Sequence, residues 1–210
     1  MVETAYANEK ISVPDFLIAE VIQGKPYYYK GYKNVLNKEQ TLDDIMGASG
    51  LQIFIVRYLF RLLDRNLDDN LFYVFTGECG LHLSKGTNLS GDVLVFDKQT
   101  LTPDLIDTYY LNIPPLIDIE IDVEIDNTTF SDFDYIQRKT DNLLKFGTQK
   151  VIWILTKTQK IIVAESNKDW LLIDWQKDVE IMNGLTFNVP QYLKKEGVIF
   201  SEQLSLNNKQ

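Results

Sequence analysis

Between Ile117 and Asp126 the chain reads IDIEIDVEID, an unbroken alternation of apolar and acidic residues. Only an extended strand sends every second side chain to the same face, so this run predicts a strand over Leu116 to Ile125. One face is aliphatic. The other carries Asp118, Glu120, Asp122, Glu124 and Asp126. Same-face neighbours on a strand lie about 6.5 to 7 Å apart, close enough for a row of like charges to oppose folding. Such a row calls for a compensating cation.

The surrounding charge is polarised. Between Asp97 and Asp134 there are ten acidic residues and one basic, whereas Arg138 to Lys160 holds six basic residues against Asp141. An acidic strand therefore leads into a basic helix and strand, which could form opposite walls of one site. The net charge of −9 argues against strong nonspecific attraction to nucleic acid, which depends on Lys and Arg neutralising phosphates. With 210 residues and 45% hydrophobic composition, the chain has enough apolar material for a core, and one domain over 1–210 is expected. The lone Cys79 and lone His82 exclude an internal disulfide and the usual Cys/His zinc site. The polar start MVETAYANEK lacks a secretory pattern, and LQIFIVRYLFRLL is too short and too charged to span a bilayer. A cytoplasmic setting without membrane contact is the expectation.

Helix and strand signals order the rest. Tyr-rich residues before position 40, punctuated by Gly24, Pro26 and Gly31, suggest strands and turns whose aromatics pack as core or edge. Thr41 and Asp44 resemble a capping box opening a helix to about Leu67, weakened in its first turns by Gly47 and Gly50. That helix is apolar on almost every side from Leu51 to Leu63, which predicts a central position or a homodimer interface. Strands are expected at Leu71 to Thr76 and Val93 to Phe96. A second helix is expected from Ser131 as N-cap to Gly147 as stop, with Phe130 and Tyr135 as a hydrophobic staple. VIWIL, KIIVAE, WLLIDW and GLTFNV read as further strands, and the tail after Ser201 as frayed. This order predicts an α/β (α+β) domain: a central mixed sheet flanked by helices, with extra strands at both ends.

Four residues carry chemistry within this frame. Asp92 precedes the apolar strand VLVF, and Glu120 sits mid-strand with Asp122 two positions on. If the two strands pair, Asp92 and Glu120, with Asp122, offer the oxygen ligands preferred by Mg²⁺ or Mn²⁺. Lys139 stands three residues after Ile136 and four before Leu143, on the stripe facing the sheet, where an unpaired ammonium would be costly. A held metal beside an ammonium suits phosphodiester hydrolysis.

The Gly-Asp-Val strand, PPLIDIEI, a helix containing D-x-x-x-x-K and a following Gly-x-x-x-x-x-Trp strand together resemble the Uma-two family of restriction endonuclease-like proteins, within the PD-(D/E)XK nuclease superfamily. EVIQGKPYYYKGY and TLDDIMGASGLQ extend the resemblance, which covers about residues 16–193. It implies a restriction-endonuclease-like core and a metal-dependent endonuclease acting on DNA, with Asp92, Glu120 and Lys139 at the motif positions. The chain departs from the family pattern in three places. Gly91 replaces the usual Pro, DVEIDNTTF replaces a Ser/Pro-containing loop, and Asp122 holds the lysine position of the ordinary Glu-x-Lys motif.

Other polar residues have simpler readings. Glu78 in FTGECG reads as a turn residue and His82 as a surface or strand histidine. Gln137 and Arg138 are candidates for phosphate contact. The alternative to an enzyme is a catalytically silent homodimer that kept the fold as a binding or scaffold protein.

Overall fold

A computed structural model describes residues 13–122 and 132–198. In chain order the elements are β1 (Ile18–Ile22), β2 (Lys25–Tyr28), α1 (Tyr32–Leu36), α2 (Gly50–Asn66), β3 (Phe72–Ser84), β4 (Thr87–Asp97), β5 (Ile117–Ile121), α3 (Asp132–Phe146), β6 (Lys150–Leu155), β7 (Lys160–Glu165), β8 (Leu171–Asp174), β9 (Val179–Met182), β10 (Leu185–Phe187) and α4 (Val189–Lys195). Eight strands form one sheet in the order β2-β1-β4-β5-β6-β7-β8, with β3 paired to β4, and β9 and β10 form a separate hairpin. The pairings are antiparallel except β5 with β6, which run parallel. Two parallel neighbours need a crossover, and α3 lies within it.

The alternation of β5 sorts the two cores. Ile117, Ile119 and Ile121 join Ile55, Leu59 and Leu63 of α2, together with residues of β9, β10 and α4, in one buried cluster. Asp118 and Glu120 point to the opposite face, where Tyr135, Ile136 and Leu143 of α3 pack with Leu94, Phe96 and Trp153. The Trp153 indole N–H donates to Thr140 Oγ1 at 2.9 Å, which fixes α3 on the sheet. The acidic face is therefore roofed by a helix rather than half-solvated, and every residue of β5 is buried.

What positions the site is a fork along β4. One edge of β4 pairs with β3 over most of its length. The other edge meets β1 at Asn88 and β5 from Val93 to Val95, leaving a gap between them. Side chains bridge this gap. The Ser90 N–H donates to Glu20 of β1 (3.1 Å), and Asp92 Oδ2 accepts from the Ile121 N–H (2.8 Å).

Several expectations need correction. Thr41 and Asp44 do bond as a capping pair, with both Thr41 N–H and Oγ1 donating at 2.7 Å to Asp44 Oδ2, but they close only a turn. The helix begins at Gly50, where Ser49 Oγ accepts from the Gln52 N–H at 3.1 Å. Gly47, low in helix propensity, lies between the two caps. FTGECG is not a turn between elements. Gly77 and Glu78, both at positive φ, make a bulge inside the long strand β3. The acidic strand ends at Ile121 because Asp122 adopts φ of 61°. Its continuation, Glu124 and Asp126 with it, lies outside the described residues, as do Phe130 and the expected N-cap Ser131. The hairpin turn before Thr87, strand β9 and helix α4 were not foreseen. Among the described residues no helix is long and apolar enough to cross a membrane.

Candidate active site

Lys139 occupies the inward stripe of α3 as its spacing requires, and only 2% of it is exposed. Its Nζ lies 2.8 Å from Glu20 Oε1 and 3.0 Å from Glu120 Oε1. Glu20, 7% exposed, also accepts from Tyr135 Oη at 2.6 Å. Burial works against the Lys139 ammonium, but Glu120 and Glu20 more than reverse it and hold its pKa well above the ordinary lysine value. The lysine is therefore a fixed cation clamped between two strands. Tyr135 titrates far above its usual range, through burial and then the neighbouring Glu20 charge.

Glu20 is the participant that sequence reasoning missed. It sits in AEVIQG with a polar residue only on its far side and no visible partner nearby. The signal available was a carboxylate between apolar residues of a strand, which is weak alone. It reaches Lys139 only because β1 and β5 lie against the same edge of β4.

Asp92 and Glu120 line one cavity with Lys139, Glu20, Gln52 and the bulge residue Glu78. The cavity holds about 80 Å³. Burial raises the pKa of Asp92, opposed by the Ile121 N–H, the Lys139 charge and the Gln52 amide. Glu120, 6% exposed, is raised well above the ordinary value by burial, with Lys139 opposing and Asp118 adding to the rise.

Asp118 is more deeply placed than any expectation had it. It is 0% exposed, and among the described residues no N–H or hydroxyl donates to its carboxylate, which neighbours that of Glu120. Burial pushes its pKa up to about 7 despite the nearby Lys139 charge. The neighbouring Gly91 accommodates it: a Cβ at position 91 would overlap Leu94 Cδ2 and come within 2.9 Å of Asp118 Oδ1. The glycine at position 91 is thus coupled to a buried carboxyl.

The remaining candidates separate. Asp122 borders the cavity, but Thr156 donates to it twice, from N–H and Oγ1, each at 2.7 Å, which draws the carboxylate toward β6. Gln137 and Arg138 stand on the exposed side of α3, outside the cavity lining. His82 is an exposed strand residue whose Nδ1 lies 2.6 Å from Asn88 Oδ1.

The donor set suits a small hard cation. Asp92 and Glu120 supply carboxylate oxygens, with Glu120 Oε1 also ion-paired to Lys139 at 3.0 Å. Gln52 Oε1, at the same cavity, is buried without a partner among the described residues. Among the described residues no group of three or more His, Cys, Asp or Glu is disposed around one point. One or two carboxylates completed by water and substrate phosphate is the usual protein contribution to a Mg²⁺ site.

No family model and no curated relative matches the chain. Among solved structures it is similar to a protein of Anabaena variabilis ATCC 29413 described as "a putative nuclease belonging to DUF820". The TM-score is 0.62 at 16% sequence identity, over 83% of this chain and 89% of that one. Together with the mixed sheet between α2 and α3, this likeness defines an α/β fold with a restriction-endonuclease-like core.

Proposed function

We propose that the protein is a divalent-metal-dependent endonuclease of the Uma-two type, hydrolysing DNA phosphodiester bonds. The observation that carries this reading is the convergence of Asp92, Glu120 and Lys139, from β4, β5 and α3, on one small cavity. Asp92 and Glu120 would hold Mg²⁺ or Mn²⁺, with Asp122 at the border of the same site. When bound, the ion supplies polarisation of the phosphoryl oxygen and a lowered pKa for water. Lys139 orients the attacking water and offsets charge developing on the phosphoryl group, and its fixed position means no reorganisation is needed at that moment. Glu20 holds Lys139 in place, and Tyr135 holds Glu20. Gln137 and Arg138, on the outer side of α3, are assigned contacts to phosphates beyond the cavity.

The test is a nicking assay on supercoiled plasmid with Mg²⁺, Mn²⁺ or Ca²⁺. Cleavage with Mg²⁺ or Mn²⁺ that is lost in both Glu120→Gln and Lys139→Met supports the assignment. Equal cleavage by both variants would remove these residues from the chemistry.

A second reading, a silent dimeric scaffold, is favoured by one observation: Ile53 on α2 is 58% exposed. Sedimentation at low micromolar concentration tests the homodimer, and a stable monomer would exclude it.

A further inference from the structure

A second, larger cavity adjoins the candidate active site. It holds about 730 Å³, and Asp122 borders both. Its walls are mainly apolar. Phe133 on α3 and Trp170 before β8 meet edge to face with ring centroids 6.4 Å apart, and Leu172 beyond them is 70% exposed. So much exposed apolar surface in one concavity is a mark of a binding site rather than of ordinary surface.

The charges at its rim select the occupant. Lys30, Lys157 and Lys160 line it, whereas the one carboxylate among its described lining residues, Asp122, is engaged by both donors of Thr156. Lys160 is already paired with Asp174 at 2.8 Å, which leaves Lys30 and Lys157 as the rim lysines that no ion pair involves among the described residues. Cations at the rim of an aromatic-walled groove match a polyanion with flat apolar faces. Unpaired nucleotides have this chemistry: the phosphates meet the lysines and the bases stack on the rings. A duplex keeps its bases stacked on each other and cannot use Phe133 or Trp170 in this way.

We infer that this groove binds one to a few unpaired nucleotides of a nucleic-acid strand beside the candidate active site, making single-stranded or locally opened nucleic acid the preferred substrate. The inference rests on the nuclease reading for its mention of substrate. Binding itself does not depend on that reading.

The experiment measures binding and cleavage separately. A fluorescently labelled oligothymidylate and a labelled duplex of equal length are titrated with the full chain in Ca²⁺, followed by anisotropy. Wild type is expected to bind the single strand more tightly. Trp170→Ala and Phe133→Ala should each weaken single-strand binding about tenfold, within the range of losing one stacked base, and change duplex binding little. Trp170→Phe, which keeps an aromatic face, should restore most of the affinity, and all three variants should retain the wild-type melting temperature within a few degrees. Equal loss on both substrates, no loss on either, or no single-strand binding by wild type would each overturn the inference. So would a Trp170→Ala variant that binds the strand normally but sediments as a smaller species, since the groove would then be a contact between copies. Absence of cleavage with Mg²⁺ or Mn²⁺ while Trp170-dependent binding persists would sink the nuclease reading and leave the groove intact. Metal-dependent cleavage indifferent to strandedness and to Trp170 would do the reverse.

Discussion

Lys139 Nζ stands 2.8 Å from Oε1 of Glu20, a residue 119 positions earlier in the chain. This buried pair joins the first strand to the third helix and fixes the cation that faces Asp92 and Glu120. Removing one partner leaves the other charge buried, which typically costs about 3–5 kcal/mol. Glu20→Gln keeps the shape and an acceptor for Tyr135, so a smaller loss of about 1–3 kcal/mol is expected, read from urea unfolding. Cleavage should fall as well, with the loss in turnover rather than in substrate affinity. A Glu20→Gln variant of unchanged stability would show that the pair does not organise the site.

Glu120→Gln removes a charge from the acidic side of the cavity. In metal-free protein one like-charge interaction with Asp118 is relieved, but the Lys139 ion pair is weakened, so the melting temperature should change by only a few degrees. The rise in melting temperature that Mn²⁺ produces by binding the folded state should largely disappear. Differential scanning fluorimetry with and without millimolar Mn²⁺ measures both, and an undiminished metal shift would exclude Glu120 as a ligand.

Asp118 gives the metal-free protein a pH dependence of known sign. Its carboxyl titrates near 7 when folded, against an ordinary value of 3.8. Between these values the native state binds more protons than the unfolded state, so stability falls as pH rises from about 4 to 7. Burial raises Glu120 and Asp92 too, and they act in the same direction. The melting temperature of metal-free protein should therefore drop from pH 5 to pH 8. Asp118→Asn should flatten the slope, and an unchanged slope would show that another group sets it.

Gly91→Ala tests the close approach of β4 to β5. The added methyl would overlap Leu94 Cδ2 and crowd Asp118 Oδ1. Overpacking of this kind costs about 1–3 kcal/mol, measurable as a lower urea midpoint at constant m-value. A neutral substitution would show that Leu94 has room to shift.

Much of the frame was legible because it is local. Period two in IDIEI required a strand, and the i, i+3 and i+7 spacing of Ile136, Lys139 and Leu143 required one helix face to carry the lysine inward. Strand β5 covers the first part of the expected strand, Ile117–Ile121, and helix α3 appears where its pattern places it. The condition set for bringing Asp92 near Glu120 was that β4 and β5 pair, which they do, and both residues line one cavity with Lys139. Caps were read less well. Thr41 and Asp44 bond as their spacing suggests, yet the helix starts only after Ser49, with Gly47, a poor helix former, between the two caps.

Pairings between distant segments were not legible. Glu20 meets Lys139 because β4 forks between β1 and β5, and no residue pattern within any one segment encodes which strand takes which edge. Asp118 and Asp122 show the same limit on a finer scale. The alternation assigns them, with Glu120, to one face of equivalent carboxylates, but α3 seals Asp118 away from water, while a single positive φ takes Asp122 out of the strand and toward Thr156. Side-chain periodicity is a property of the local backbone and can be read from the chain. Burial, ion pairing and the resulting pKa values depend on what packs above each residue, and that is settled only when the sheet and its helices assemble.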